Sequence, residues 1–362
     1  MSGPDGPDRP AIPGVPDLAG ALEVVETYLL GVGPSLTRVQ VAEQAGVPLE
    51  VAIELWRLLG FPTQDDDEIA FAPLDVEALR DTRALIEIGI LGPERQAALV
   101  RTWGRSYARL AEWQTTLLAD MALESGADPS ETLAQLTDEV LPRLDALQSY
   151  VWRRHLASAG NRLLAVEAPG SPVSRLAVVF VDIVGYTSRS KTLSETDLVE
   201  WLEYFESETL GLVVDHGVRV IKNIGDEVLL VADDPFAAVE VALLMTARGR
   251  DDGDAFPAVR AGIAYGDVVS RLGDVFGPTV NVAARLTSVA RPGTVVVDRG
   301  AYEALTGRTH DESDDGPESP AGAAPYLFRR MRRVSVKGYP RLPAWAMRTT
   351  RPLPRGDSAA AE

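Results

Sequence analysis

From about residue 17 to 165 the apolar positions recur at intervals of three and four, the signature of a helix with one buried stripe. ALEVVETYLLG, VQVAEQAG and LEVAIELWRLLG each follow that period, and each stops at a glycine, which ends helices by entering left-handed backbone cheaply. RQAALVRTWGRSYARLAEWQTTLLADMALES continues the pattern as one long amphipathic helix. A further helix is predicted from Pro129-Ser130-Glu131 to the region of His155, with Pro142 as a point of kinking. At EAPGSPVS (167–174) proline and glycine interrupt the period, and the character of the chain changes.

Beyond that boundary the pattern alternates between strand and helix. LAVVFVDIV (176–184) is a continuous apolar run, as expected of a strand buried on both faces. Ser194 to His216 reads as a helix with Ser194 at its N-cap. VRVIKNI and EVLLVA flank Gly225-Asp226, a two-residue hairpin signal. PFAAVEVALLMTARG is helical, AVRAGIAYG and VVSRLG read as two strands, PTVNVAARLTSVA as a helix, and TVVVD opens the last section; the polar stretch Thr309–Ala324 is a loop. This order predicts an α+β chain. An all-α N-terminal domain (17–166) and a linker (167–174) precede a ferredoxin-like domain with a βαββαβ core (175–350), between disordered ends at 1–16 and 351–362.

Composition narrows the class. A chain of 362 residues holds two domains, and 46% hydrophobic with 24% charged residues is ordinary for a folded protein. The net charge of −18 argues against binding a nucleic-acid backbone, no apolar run reaches the length of a bilayer, and the acidic, proline-rich start lacks the basic and apolar regions of a signal peptide. Cysteine is absent. The expectation is a cytoplasmic protein with no nucleic-acid partner and no membrane span. Lysine occurs only at Lys191, Lys222 and Lys337, while 32 arginines supply the other basic side chains. A retained lysine marks a place where a compact ammonium is needed rather than a planar fork.

The chemistry concentrates after residue 180. Asp182, in FVDIVGYT, ends the first strand, and Asp226 sits in the tip of the predicted hairpin. Strands lie about 5 Å apart, so both carboxylates can face a pair of divalent cations. Gly185, Tyr186 and Thr187 follow the strand in a turn whose backbone amides can approach phosphate oxygens. Alone, Asp182 reads as a helix cap and Asp226 as a turn residue. GDVFGPTVNVAAR (273–285) changes that reading by adding Asp274, Asn281 and Arg285, the last two four residues apart on one helical face. Acids at strand ends with a lysine, an amide and an arginine point to metal-assisted phosphoryl chemistry on a nucleotide.

Over about residues 172–350 this set resembles the catalytic domain of class III nucleotidyl cyclases. The resemblance implies that Asp182, Asp226 and the Ile183 carbonyl hold two Mg²⁺ or Mn²⁺ ions per site. It implies that Lys222 and Asp274 read the purine, that Asn281 positions the ribose, that Arg285 stabilises the transition state, and that Lys337 reaches the triphosphate. Tyr186 stands where the family often has phenylalanine. Adenine offers a donor at N6 for Asp274 and an acceptor at N1 for Lys222, whereas guanine presents the opposite pattern, so ATP is favoured over GTP. The implied reaction is ATP to 3′,5′-cyclic AMP and pyrophosphate, in a head-to-tail homodimer with composite sites. The alternatives are a guanylate cyclase, a non-catalytic nucleotide-binding regulator and a helix-turn-helix regulator.

Residues 35–61 resemble the helix-turn-helix of transcription regulators, but the second helix carries Glu50 and Glu54 with only Arg57, a poor match to DNA. The arrangement is more similar to actinobacterial class III cyclases in which a helical N-terminal domain restrains the catalytic dimer, in some cases releasing it at acidic pH. Of the three histidines, His155 is the best placed to titrate in such a switch. Trp56, Trp103, Trp113 and Trp152 are expected to pack in the helical core.

Overall fold

The computed structural model describes residues 29–89, 93–124, 129–165, 173–251, 253–308, 325–331, 334 and 341–350. Lys337, both chain ends, the loop Thr309–Ala324 and most of ALEVVETYLLG and of the 167–174 boundary lie outside the described residues. The chain divides into two compact units, Met1–Pro169 and Gly170–Glu362.

The first unit runs β1 (Leu36–Thr37), α1 (Arg38–Ala45), α2 (Leu49–Leu59), β2 (Ile69–Phe71), α3 (Pro73–Glu87), α4 (Pro93–Glu124) and α5 (Pro129–Ala165). Thr37 and Gln40 form a capping box at the start of α1, and Gly46, at φ +68°, ends it. Val41, Ala42, Leu55, Trp56, Phe71, Val76, Leu79 and Val100 make the core. The unit is helical as expected, with one small addition, the antiparallel pairing of β1 and β2. Strands of two and three residues are too short to show a period of two in sequence. The tryptophans also divide: Trp56 is buried against Phe71, but Trp103, Trp113 and Trp152 are exposed on the two long helices.

The second unit comprises β3 (Val173–Ile183), α6 (Tyr186–Arg189), α7 (Glu195–Asp215), β4 (Arg219–Ile224), β5 (Glu227–Ala232), α8 (Pro235–Arg248) and β6 (Val259–Arg271), followed by β7 (Asp274–Phe276), α9 (Pro278–Val289), β8 (Val295–Asp298), α10 (Arg299–Thr306), β9 (Tyr326–Arg330) and β10 (Ala344–Thr349). The sheet order is β4-β5-β3-β6-β8-β10-β9, with β7 paired to β6. Its first four strands are mutually antiparallel and, with α7 and α8, form the ferredoxin-like core. The parallel β6–β8 pair extends it.

The central strand β3 is apolar on both sides because both sides are covered. Ala177, Val179, Val181 and Ile183 pack with Trp201 and Phe205 of α7, Val239 and Ala242 of α8, and Tyr302 of α10. Leu176, Val178 and Phe180 face Val282, Ala283 and Leu286 of α9. The two strands predicted at AVRAGIAYG and VVSRLG are one, since β6 runs unbroken through Gly262 and Gly266. Gly262 is there for space: a Cβ would be driven against the Thr287 backbone nitrogen and to 2.5 Å from the Ala283 carbonyl oxygen. Thr287 completes the seam by donating from its hydroxyl to the carbonyls of Phe180 (3.2 Å) and Ala283 (3.0 Å). Helix α9 is thereby seated directly on the strands that carry the acidic end of the site.

A polar knot fixes the segment leading into β6. Arg248 donates to Asp254 (2.7 and 3.1 Å), to Glu208 (2.5 Å) and to Tyr204 (3.2 Å), and its guanidinium lies over the Phe256 ring. The Arg248 hydrogen bond holds the Asp254 carboxyl below the usual range. The segment so anchored presents the Ala258 carbonyl, which accepts from the Val184 amide at 2.8 Å and pins the turn after Asp182.

Gly262→Ala is expected to lower stability by about 1–3 kcal/mol, the usual cost of overpacking, because its neighbours are backbone and cannot turn aside. Chemical denaturation reads the loss, as α9 is pushed off the sheet.

Candidate active site

Asp182 is the next-to-last residue of β3 and faces Glu227 on β5 and Arg260 on β6 as direct cross-strand neighbours. Its side chain does not cap a helix; Gly185, at φ +75°, takes the N-cap of α6 instead. Arg260 donates from Nε to Asp182 Oδ2 at 2.6 Å, and its Nη2 lies 2.5 Å from the same oxygen as an ion pair. Burial pushes the Asp182 carboxyl above its ordinary range, with Arg260 pulling it down and Asp226 raising it further. Glu227 is pushed up to about 7 by burial and by the charges of Asp182 and Asp226. Three carboxylates thus share one field with a single guanidinium, an excess of negative charge that suits a cation.

Asp226 lies in the two-residue turn between β4 and β5, where Gly225, at φ +64°, supplies the left-handed backbone such a turn needs. Its carbonyl accepts from the Ile183 amide at 3.0 Å, tying the hairpin tip to the end of β3. Asp182, Asp226 and the Ile183 carbonyl offer only hard oxygen donors, which fits Mg²⁺ or Mn²⁺ rather than a soft metal. Among the described residues no three His, Cys, Asp or Glu side chains are grouped so as to hold a metal by themselves. That donor set would leave the remaining positions around a cation to other oxygen ligands.

The turn after Ile183 is braced from behind. Tyr186 stacks on Trp201 with ring centroids 6.1 Å apart, and Arg189 lies over the same indole at 4.4 Å. The amides of Tyr186 and Thr187 open α6 and so have no partner within that helix.

Lys222 and Asp274, 52 residues apart, meet: Nζ donates to Oδ2 at 2.5 Å. Two irregularities bring them together. A bulge shifts the β4 register between Val220 and Lys222, and bulges re-aim the side chains beside them. The β6–β7 hairpin turns on Leu272 and Gly273, at φ +55° and +77°, and so places Asp274 at the start of β7. Asp274 Oδ1 also accepts from the Val275 amide at 2.8 Å.

Asn281 and Arg285 stand one turn apart on the outer face of α9, both exposed. Their side chains make no hydrogen bond or ion pair with any described residue. His155 is exposed on α5. Lys337 lies outside the described residues. Sequence reasoning missed Arg260 and Glu227. The available signal for Arg260 was a charged side chain in an otherwise apolar strand, VRAGIAYG.

The chain is similar to known proteins over most of its length. The sequence profile of the adenylate and guanylate cyclase catalytic domain matches residues 169–338. An adenylate cyclase of Streptomyces coelicolor is 39% identical over 292 residues, covering 79% of this chain and 76% of that protein. One from Streptomyces griseus is 38% identical over 317 residues, covering 86% and 77%. A pH-sensitive adenylate cyclase of Mycobacterium tuberculosis is 32% identical over 281 residues, covering 74% and 69%. Each of these alignments is longer than Gly170–Glu362 and so reaches into the first unit. On the identity and coverage of these relatives, the chain belongs to the class III adenylate/guanylate cyclase family.

Proposed function

We propose that the chain converts ATP to 3′,5′-cyclic AMP and pyrophosphate, in a homodimer whose two sites are each built from both copies. The observation that carries the choice of ATP is the Lys222–Asp274 contact, which sets an ammonium donor beside a carboxylate acceptor. Adenine N1 accepts from the first and N6 donates to the second; guanine O6 and N1 would oppose both. The names of the relatives support the same choice.

Asp182 and Asp226, with the Ile183 carbonyl, are the residues that would hold divalent cations, and when bound these would supply charge neutralisation at the triphosphate and a lowered pKa at the ribose 3′-hydroxyl. The chain's own side chains do the rest. Lys222 and Asp274 fix the base and so the rotation of the ribose. Asn281 orients the ribose, and Arg285, free of any partner among the described residues, offers a rigid fork of donors to charge growing on the α-phosphoryl oxygens. The amides of Gly185, Tyr186 and Thr187 serve the phosphates, and Lys337 the far end of the triphosphate.

Two features support the second copy. Asn281 and Arg285 are exposed on the outer face of α9, with no side-chain partner among the described residues. Ile224, Val269, Leu272 and Phe276 leave an apolar rim exposed on the strands and turn around Lys222 and Asp274. We also assign the helical first unit a regulatory role. The matched relatives extend into it, one of them is named as pH-sensitive, and the pairing of Arg57 with Glu54 at 2.6 Å leaves α2 unsuited to DNA.

Asp274→Ala should cut kcat/KM for ATP by about 10–100-fold and narrow the preference over GTP, because one base-edge hydrogen bond to a charged group is lost. Product analysis with both nucleotides reads this, and an unchanged ratio would remove Asp274 from base selection. Cyclic AMP formation by the full chain and by residues 168–352, from about pH 5.5 to 8, tests regulation across the histidine range. The full chain should respond to pH more steeply than the catalytic segment; identical profiles and rates would contradict a regulatory first unit.

A further inference from the structure

Along a regular strand, side chains alternate between the two faces of the sheet. Strand β5 obeys this: Val228, Leu230 and Ala232 pack in the core under α7 and α8, and Leu229 and Val231 in the core under α9. Its neighbour β4 does not. Val220 lies opposite Leu230 and Lys222 opposite Leu229, which leaves Ile221 as an extra residue with no place in the register. Val220 packs against the first core and Ile221 against the second. Lys222, opposite Leu229, stands on that second side too, where it meets Asp274. Two consecutive side chains therefore share the α9 side, which alternation forbids and a bulge permits.

Lys222 needs such support. Strand β4 ends the sheet, and among the described residues β5 is its only strand partner. Past Ile221, the residues Lys222, Asn223 and Ile224 are all exposed, so Ile221 is the last apolar anchor before the hairpin tip. The Lys222–Asp274 pair keeps 43% and 28% of its side chains exposed, and ion pairs so open to water gain too little to fix their own geometry. We infer that Ile221 is a positioning residue for base selection: seated in the α9-side core by the bulge, it holds Lys222 Nζ on Asp274. The inference rests on the proposed role of that pair in choosing ATP. With the register kept from the hairpin tip, a regular β4 would turn residue 221 to the α7 and α8 side and leave the lysine without an anchored neighbour.

The test compares ATP and GTP turnover with Mn²⁺ by the full chain and its Ile221→Ala, Ile221→Thr, Ile221→Val and Lys222→Ala variants. Ile221→Ala keeps the residue count and removes the anchor. Its kcat/KM for ATP should fall about 10-fold while that for GTP changes by less than about 2-fold, so the preference narrows. Ile221→Val keeps a branched apolar side chain and should retain most of the wild-type ratio; a loss of preference as large as in Ile221→Ala would contradict the anchor. A merely structural role lowers both nucleotides alike, so an unchanged ratio in Ile221→Ala would overturn the inference. Should that variant not fold, Ile221→Thr, which keeps the β-branch suited to a strand but is polar, takes its place with the same expected and overturning results. If Lys222→Ala leaves the ratio unchanged, the base-reading role of the pair fails and this inference fails with it. A ratio moved by Lys222→Ala but by neither Ile221→Ala nor Ile221→Thr removes the inference alone.

Discussion

The charged row Glu227–Asp182–Arg260 is the constraint around which the second unit is arranged. It closes a strand that is otherwise apolar from Leu176 to Val181 and buried on both faces. Burying carboxylates at that point costs free energy, which shows in the upward displacement of both Asp182 and Glu227. A strand in the middle of a sheet cannot move to relieve the strain, so the excess charge stays where it is and is available to a cation. Helices α7 and α8 on one face and α9 on the other hold the strand in place.

The same packing sets the rest of the site. The absence of a side chain at Gly262 lets α9 lie against β6, and this fixes where Asn281 and Arg285 emerge on the outer face. The Arg248 knot fixes the segment whose Ala258 carbonyl holds Val184, and Trp201 braces Tyr186 and Arg189, so the turn after Asp182 is gripped from two directions. Asp298 does comparable work at the far side of β6: its carboxylate accepts from the amides of Tyr265 and Ala301, and burial pushes it up to about 6. Preorganisation of this kind lets a few polar groups act without reorganising during the reaction.

Much of this was readable from the chain. Asp182, Asp226, Lys222 and Asp274 each sit at a junction between an apolar run and a turn, and such junctions are local patterns. The alternation of strand and helix likewise gave the ferredoxin-like core. What could not be read depended on distance. Arg260 meets Asp182 across 78 residues. The glycines of β6 looked like a break until the backbone of α9 explained Gly262. Strands β1 and β2 are too short to carry a period, and β9 and β10 follow a long polar stretch that hides their relation to β8. The exposed Trp103, Trp113 and Trp152 show the converse failure, since helical periodicity marks an apolar stripe but not what covers it.

The central claim is that the acidic row of one copy works with the Asn281–Arg285 face of another. Its most direct measurement is cyclic AMP formation from Mn-ATP by Asp182→Ala and Asn281→Ala chains, each alone and then mixed after dissociation and reassociation. Each alone should be nearly inactive. The mixture should recover up to about a quarter of the wild-type rate, because half of the two-fold dimers would be mixed and one of their two sites intact. A mixture as inactive as its components would contradict a site shared between copies.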